Sequence, residues 1–102
     1  MQSQVPLFDR LSERILNQLF LASGEYRTCH VCLPDMQQRL PAIVVEEQYY
    51  GYFKTVKERH QALKVVAKLF ENKDDALITQ SPKGYNIWVL EPSAYLSKLN
   101  SK

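Results

Sequence analysis

Two cysteines, Cys29 and Cys32, flank His30 and Val31 and form the motif of this sequence that most resembles a chemical site. A Cys-x-x-Cys pair serves redox catalysis when a helix N-terminus stabilises the thiolate, and it serves zinc when further ligands are near. Here the pair falls in a predicted strand, where positions three apart point to opposite faces. The other histidine, His60, stands alone on a predicted helix. We therefore predict that both cysteines pack in the interior, and we expect no metal and no cofactor.

Carboxylate pairs and nucleophile motifs give little support for an enzyme. Glu46 and Glu47 are adjacent in a predicted strand and point to opposite sides, while Asp74 and Asp75 lie in a predicted loop. The chain has no Gly-x-Ser-x-Gly motif and no phosphate-binding glycine loop. Because no set of reactive groups converges, we expect a protein without catalytic activity or a small-molecule substrate.

Aromatic residues and lysines lie together in the middle of the chain. The net charge is +2, and residues 54–73 carry six basic and two acidic side chains. Aromatic rings stack on bases and lysines neutralise phosphates, which suggests a module that binds single-stranded nucleic acid. That site would use Tyr49, Tyr50, Tyr52, Lys54, Lys57, Lys64 and Lys68. The alternative is that the tyrosines are structural and the lysines are the solvated side of a helix.

Hydrophobic periodicity predicts the elements that must position these residues. Apolar residues recur every three or four positions over residues 7–22, which predicts an amphipathic helix that ends at Ser23 and Gly24. Residues 26–33 predict a first strand, and residues 42–50 predict a second strand that Gly51 interrupts.

The second half predicts a helix followed by a hairpin. Thr55 and Glu58 have the spacing of a capping box, so a helix is predicted to begin at Thr55 and to continue through Phe70. Residues 76–80 and 85–90 flank a Ser-Pro-Lys-Gly turn and predict a hairpin. Ser93 could then cap a short closing helix, whose apolar residues would be Tyr95, Leu96 and Leu99.

Length and composition favour a single domain. The chain has 102 residues, with 45% hydrophobic and 24% charged residues, so residues 1–102 should form one folded domain. The element order α-β-β-α-β-β predicts a two-layer α+β fold, in which a four-stranded, mainly antiparallel sheet carries its helices on one face.

A sheet covered by helices on one face leaves apolar side chains on the other. Ile87 and Trp88 cannot both point inward, so either Trp88 or the row of Tyr85, Ile87 and Val89 must face away from the helices. Either the closing helix covers that row as a third layer, or the row stays exposed as a protein interface. We favour the interface, formed with a second copy as a homodimer or with a larger complex. Its expected contact residues are Tyr50, Tyr52, Val65, Leu69 and Trp88.

Because no targeting pattern is recognised in the sequence, we expect a cytoplasmic protein. Its apolar runs are far shorter than the ~20 residues that span a bilayer, so we expect no membrane association. The first residues lack the basic cluster and apolar stretch of a signal peptide. Two closely spaced cysteines are too few for a secreted disulfide framework.

Two stretches, residues 50–53 and residues 83–92, resemble small uncharacterised proteins of cyanobacteria. The resemblance covers about half of the chain. It implies no particular function, and it assigns no role to any residue.

Overall fold

The computed structural model describes residues 19–35 and 38–96. Within these residues, six strands form one antiparallel sheet with the order β4-β5-β3-β2-β1-β6, and one α-helix lies against it. The strands are β1 (Arg27–Cys32), β2 (Leu40–Val45), β3 (Gln48–Val56), β4 (Ala76–Ser81), β5 (Gly84–Leu90) and β6 (Tyr95–Leu96). The helix α1 spans Arg59–Glu71, and Ser23–Glu25 form a short 3-10 turn before β1.

The predicted four-stranded sheet with helices on one face is wrong, because the described residues have the order β-β-β-α-β-β-β around a six-stranded sheet. Most of the helix predicted over residues 7–22 lies outside the described residues. Its predicted end is wrong, since Phe20 already pairs in parallel with Ile78 of β4. The Leu21 amide donates a hydrogen bond of 2.9 Å to the Ile78 carbonyl, so the predicted helix has ended before Phe20 and Leu21, which lie beside β4.

The extended run predicted over residues 42–50 is two strands and not one. Strands β2 and β3 pair in antiparallel fashion, with Val45 opposite Gln48, and Glu46 and Glu47 form the turn between them. Both glutamates adopt left-handed backbone conformations, with φ of 50° and 69°. Positive φ at both central residues is the requirement of a type I′ hairpin turn.

The capping box predicted at Thr55 is wrong, because β3 continues through Val56. Helix α1 instead begins at Arg59, behind an extended Glu58. The amide of Glu58 donates a hydrogen bond of 3.1 Å to Oε1 of Gln61, so the helix has a cap three residues later than the sequence indicates. Cross-strand pairing with β5 overrides the local capping preference of Thr55.

The hairpin of β4 and β5 confirms the predicted turn at Pro82 and Lys83. The predicted closing helix is wrong where the structure describes it. Tyr95 and Leu96 form the short strand β6, which pairs with Cys32 and Val31 at the end of β1. Leu99, the third apolar residue of that predicted helix, lies outside the described residues.

One face of the sheet, here called the helix face, packs against α1. The helix contacts β3, β4 and β5. Its buried side chains are Ala62, Val66 and Leu69, and they form a core with Ile78 and Ile87 of the sheet. Both isoleucines are fully buried, so this half of the helix face is closed within one subunit.

The opposite face, here called the Trp88 face, has a core of its own. Ile43, Tyr50 and Trp88 are buried there, and Leu21 and Tyr26 pack against them. If the sheet were flat, the distance between Leu21, which lies beside β4, and β1 would be about 24 Å. Residues 22–26, which connect Leu21 to β1, can span at most about 21 Å even when fully extended. The sheet must therefore curl toward the Trp88 face, and residues 22–26 close over the curl.

Candidate binding surface

A groove between α1 and β3 is the strongest candidate site among the described residues. It has a volume of about 370 Å³. Its lining combines three apolar side chains with three lysines and one asparagine: Phe53, Val65, Leu69, Lys54, Lys64, Lys68 and Asn72. We call it the lysine groove.

Phe53 reaches the groove because the register of β3 shifts. Tyr52 lies opposite Trp88 and Lys54 lies opposite Ile87, so Phe53 is the extra residue of a β-bulge. A bulge leaves its additional residue outside the regular alternation and can redirect its side chain. Half of the Phe53 side chain is exposed, at 50%. An aromatic ring is thus presented beside the apolar edge of the helix.

Helical spacing supplies the rest of the groove. Val65 and Leu69 are one turn apart, and so are Lys64 and Lys68, so each pair lies on one side of α1. Among the residues that the structure describes, none of the groove lysines is in an ion pair. Lys54 Nζ lies 6.0 Å from the centre of the Phe53 ring. The groove therefore offers an apolar floor with a positively charged rim.

The residues predicted to contact a protein partner do not form one surface in the structure. Val65 and Leu69 line the groove, and Tyr52 is 39% exposed on the Trp88 face. Tyr50 and Trp88 are buried, at 9% and 8% exposure, so the expectation that the Trp88 row forms an exposed patch is wrong. The physical reason is the curl of the sheet, which encloses this row within a single subunit.

The residues predicted to contact nucleic acid are also divided. Lys54, Lys64 and Lys68 gather around the groove. Lys57 does not line it and lies beside Gly84 at the hairpin turn. Tyr49 lines a different depression. Sequence reasoning did not single out Phe53, although it is adjacent to Lys54, because the bulge that exposes its ring depends on pairing with β5.

A second depression, of about 330 Å³, lies where β2, β3 and β5 end or begin. Its lining contains two carboxylates and several apolar side chains: Glu47, Gln48, Tyr49, Leu90, Glu91, Pro92 and Ala94. We call it the acidic surface. Partial burial raises the pKa of the Glu91 carboxyl, and the negative charges of Asp74 and Asp35 raise it further.

The cysteines do not combine into a site. Both lie in β1, and the strand register places Cys29 opposite Ala42 on the helix face and Cys32 opposite Tyr95 on the other. Both are free thiols that are only partly buried, so the prediction that they pack in the interior is wrong. Burial raises the pKa of the Cys29 thiol, although the charge of Arg27 opposes this, so the reactive thiolate is disfavoured. Across residues 19–35 and 38–96, no group of histidine, cysteine and acidic side chains is arranged to hold a metal ion.

Comparison of the chain with protein-family models, with curated proteins and with solved structures finds no match. In the part of the chain that the structure describes, no helix has both the length and the hydropathy needed to cross a membrane. The geometry of the two depressions is therefore the basis for a functional proposal.

Proposed function

We propose that this chain is a non-catalytic cytoplasmic protein that acts by binding another protein, and that the lysine groove is its contact surface. One observation carries the proposal: the half-exposed ring of Phe53 lies beside three lysines, and none of the acidic residues within 19–35 and 38–96 lines the same groove. A half-exposed aromatic ring beside a charged rim is typical of a recognition surface.

The two components of the groove contribute differently to binding. A partner that covers the exposed half of Phe53 gains on the order of 1 kcal/mol from burial of apolar surface. Lys54, Lys64 and Lys68 add attraction and selectivity, because a partner segment that carries Asp or Glu satisfies them and a basic segment is repelled. The favoured ligand is therefore an apolar peptide segment with acidic residues beside its anchor.

The same residues also support a second candidate, the binding of single-stranded nucleic acid. Phe53 could stack on a base while the lysines neutralise phosphates. A nucleic-acid strand, however, requires a track of cations along its backbone. Lys57 does not extend the groove, and Tyr49 belongs to the acidic surface. The distribution of charge therefore favours a short acidic peptide.

Paired titrations at low and high salt separate the two candidates. One ligand is a labelled peptide with a central phenylalanine flanked by glutamates, and the other is a labelled oligothymidylate. We expect the peptide to bind, and we expect Phe53→Ala and Lys64→Glu each to weaken it by about tenfold. Lys83→Glu, an exposed lysine at the hairpin turn and outside the groove, is the matched control and should bind as the wild type does.

The outcomes of these titrations are distinct. Oligothymidylate binding that is steeply weakened by salt and lost in Lys64→Glu, without peptide binding, would overturn the protein-binding proposal in favour of the second candidate. Binding of neither ligand by protein dilute enough to be monomeric, or equal losses in Lys64→Glu and Lys83→Glu, would remove the groove as a site.

A further inference from the structure

The chain carries a surface that matches its own groove. The lysine groove joins an apolar floor to three cations, whereas the acidic surface joins apolar side chains such as Tyr49 and Pro92 to the carboxylates of Glu47 and Glu91. Charge and hydropathy are therefore complementary between two depressions of one molecule.

Further carboxylates strengthen the negative field of the acidic surface. Asp74 and Asp35 interact electrostatically with Glu91, and Asp75 and Glu46 interact in the same way with Tyr50. Asp74, Asp75 and Glu46 come from separate loops that meet at the end of the sheet where Glu47 and Glu91 lie, whereas Asp35 precedes β2 at its other end. The potential at this end is thus negative, while the rim of the groove is positive.

The two surfaces are neighbours along β3. Tyr49 and Gly51 are two residues apart, and so they share the helix face. Lys54 joins them there after the bulge, because its partner Ile87 shares a face with Val89, the partner of Gly51. Glu91 lies on this side too, since its Cγ is 3.3 Å from the position that a Cβ of Gly51 would take. Gly51 therefore lies between the groove and the acidic surface.

We infer that the lysine groove of one copy binds the acidic surface of a second copy, forming a two-fold symmetric homodimer. This inference rests on the proposed function, because it names the occupant of the same groove. Two complementary surfaces that lie side by side on one face can both be used across a two-fold axis. Each groove then receives the acidic surface of the partner, so every contact is made twice and the assembly closes.

Charge reversal with complementation tests the dimer. Sedimentation equilibrium over a concentration series would measure self-association of the wild type, of the double variant Lys64→Glu with Lys68→Glu, and of Glu47→Lys. We expect the wild type to dimerise and each reversed variant to dimerise at least about tenfold more weakly, because like charges then oppose each other. Equimolar mixing of the two reversed proteins should restore association, because one groove then meets an unchanged acidic surface and the other groove presents its new glutamates to the new lysine. Lys83→Glu should dimerise as the wild type does.

Circular dichroism establishes that each variant is folded, and Glu47 is an exposed turn residue whose side chain lies outside the core. A wild type that stays monomeric while its groove binds the acidic peptide would overturn the dimer and leave the proposed function intact. A dimer that neither reversal weakens, or that mixing does not restore, uses another surface and would also overturn the inference. A monomer that binds no peptide defeats both proposals.

Discussion

The indole Nε1 of Trp88 donates a hydrogen bond of 2.9 Å to Oγ1 of Thr79, which is 2% exposed. The same hydroxyl accepts from Asn86 Nδ2 at 3.3 Å, and Asn86 Oδ1 accepts from Thr55 Oγ1 at 2.7 Å. Because the Thr55 hydroxyl has already given its proton, the Tyr52 hydroxyl is the donor of the remaining 2.7 Å bond to Thr55. Polar groups thus form a connected path across β4, β5 and β3 on the Trp88 face.

Replacement of Thr79 by valine should destabilise the protein by about 1–3 kcal/mol, because it leaves the buried indole N–H of Trp88 without an acceptor. Thr79→Ser keeps the hydroxyl and loses only a methyl group, so it should lose no more than about 1 kcal/mol. Urea unfolding followed by the fluorescence of Trp88, the single tryptophan of the chain, measures both variants. Equal losses in valine and serine would show that the hydroxyl contributes nothing.

The turn at Glu46 and Glu47 shows where sequence reasoning failed for the fold. Type I′ turns favour Asn-Gly or Gly-Gly, because their central residues need positive φ without a steric penalty. Neither glutamate signals such a turn, and thus β2 and β3 read as one continuous strand. Pairing of Val45 with Gln48 and of the residues beyond imposes the left-handed conformations that the local sequence does not favour.

The substitution Glu47→Gly should therefore stabilise the protein by about 0.5–1 kcal/mol. Relief of a left-handed conformation is worth roughly 1–2 kcal/mol, and the greater freedom of glycine in the unfolded chain removes part of that gain. Glu47→Ala is the matched control, since it removes the same charge but keeps the Cβ, and it should give no gain. Midpoints of urea unfolding for both variants, taken in dilute protein, decide between backbone and charge effects.

Part of the candidate site could be predicted from the sequence, because one helix alone positions those residues. Lys64, Lys68, Val65 and Leu69 follow from helical spacing, which the sequence carries within a single element. Phe53 depends on a bulge, and a bulge reflects how two distant strands match in register. Local spacing could place the lysines together, but it could not show which aromatic ring would join them.

The burial of Trp88, like the position of Phe53, depends on how distant parts of the chain are arranged. Alternation along β5 requires Ile87 and Trp88 to lie on opposite faces, but it does not report which face the helix covers or whether the sheet is flat or curled. The curl depends on the short link of residues 22–26, which joins the chain beside β4 to β1 across the Trp88 face. A property of the whole sheet therefore decides whether this ring is exposed.

Gly84 and Gly51 should differ sharply in their response to alanine. Gly84 has φ of +135°, and a Cβ there would overlap the backbone carbonyl of Val56, which cannot move without breaking the strand pair. Gly84→Ala should lose at least about 2 kcal/mol. At Gly51 a Cβ would approach Leu40 Cδ2 at 2.6 Å, but that atom ends a flexible side chain, so the loss should be about 1 kcal/mol. Thermal unfolding of both variants ranks them, and an equal loss would contradict the distinction.

The carboxyl of Glu91 should make stability depend on pH in a defined direction. Burial first, and then the charges of Asp74 and Asp35, raise the pKa of Glu91 in the folded protein above its ordinary value. The folded state therefore holds this proton more tightly than the unfolded chain, so ionised Glu91 opposes folding at neutral pH. That opposition fades as the pH falls through the folded-state pKa toward the unfolded one.

Glu91→Gln should accordingly melt at a higher temperature than the wild type at neutral pH, and the difference should close in acid. The effect is small, since the carboxyl remains partly in water. Thermal unfolding in dilute protein, where any dimer is dissociated, gives the difference at each pH. Glu47→Gln removes a neighbouring carboxyl from the exposed turn and is the control. If the difference in melting temperature between Glu91→Gln and the wild type widened in acid, folding would stabilise the carboxylate, contrary to its position beside Asp74 and Asp35.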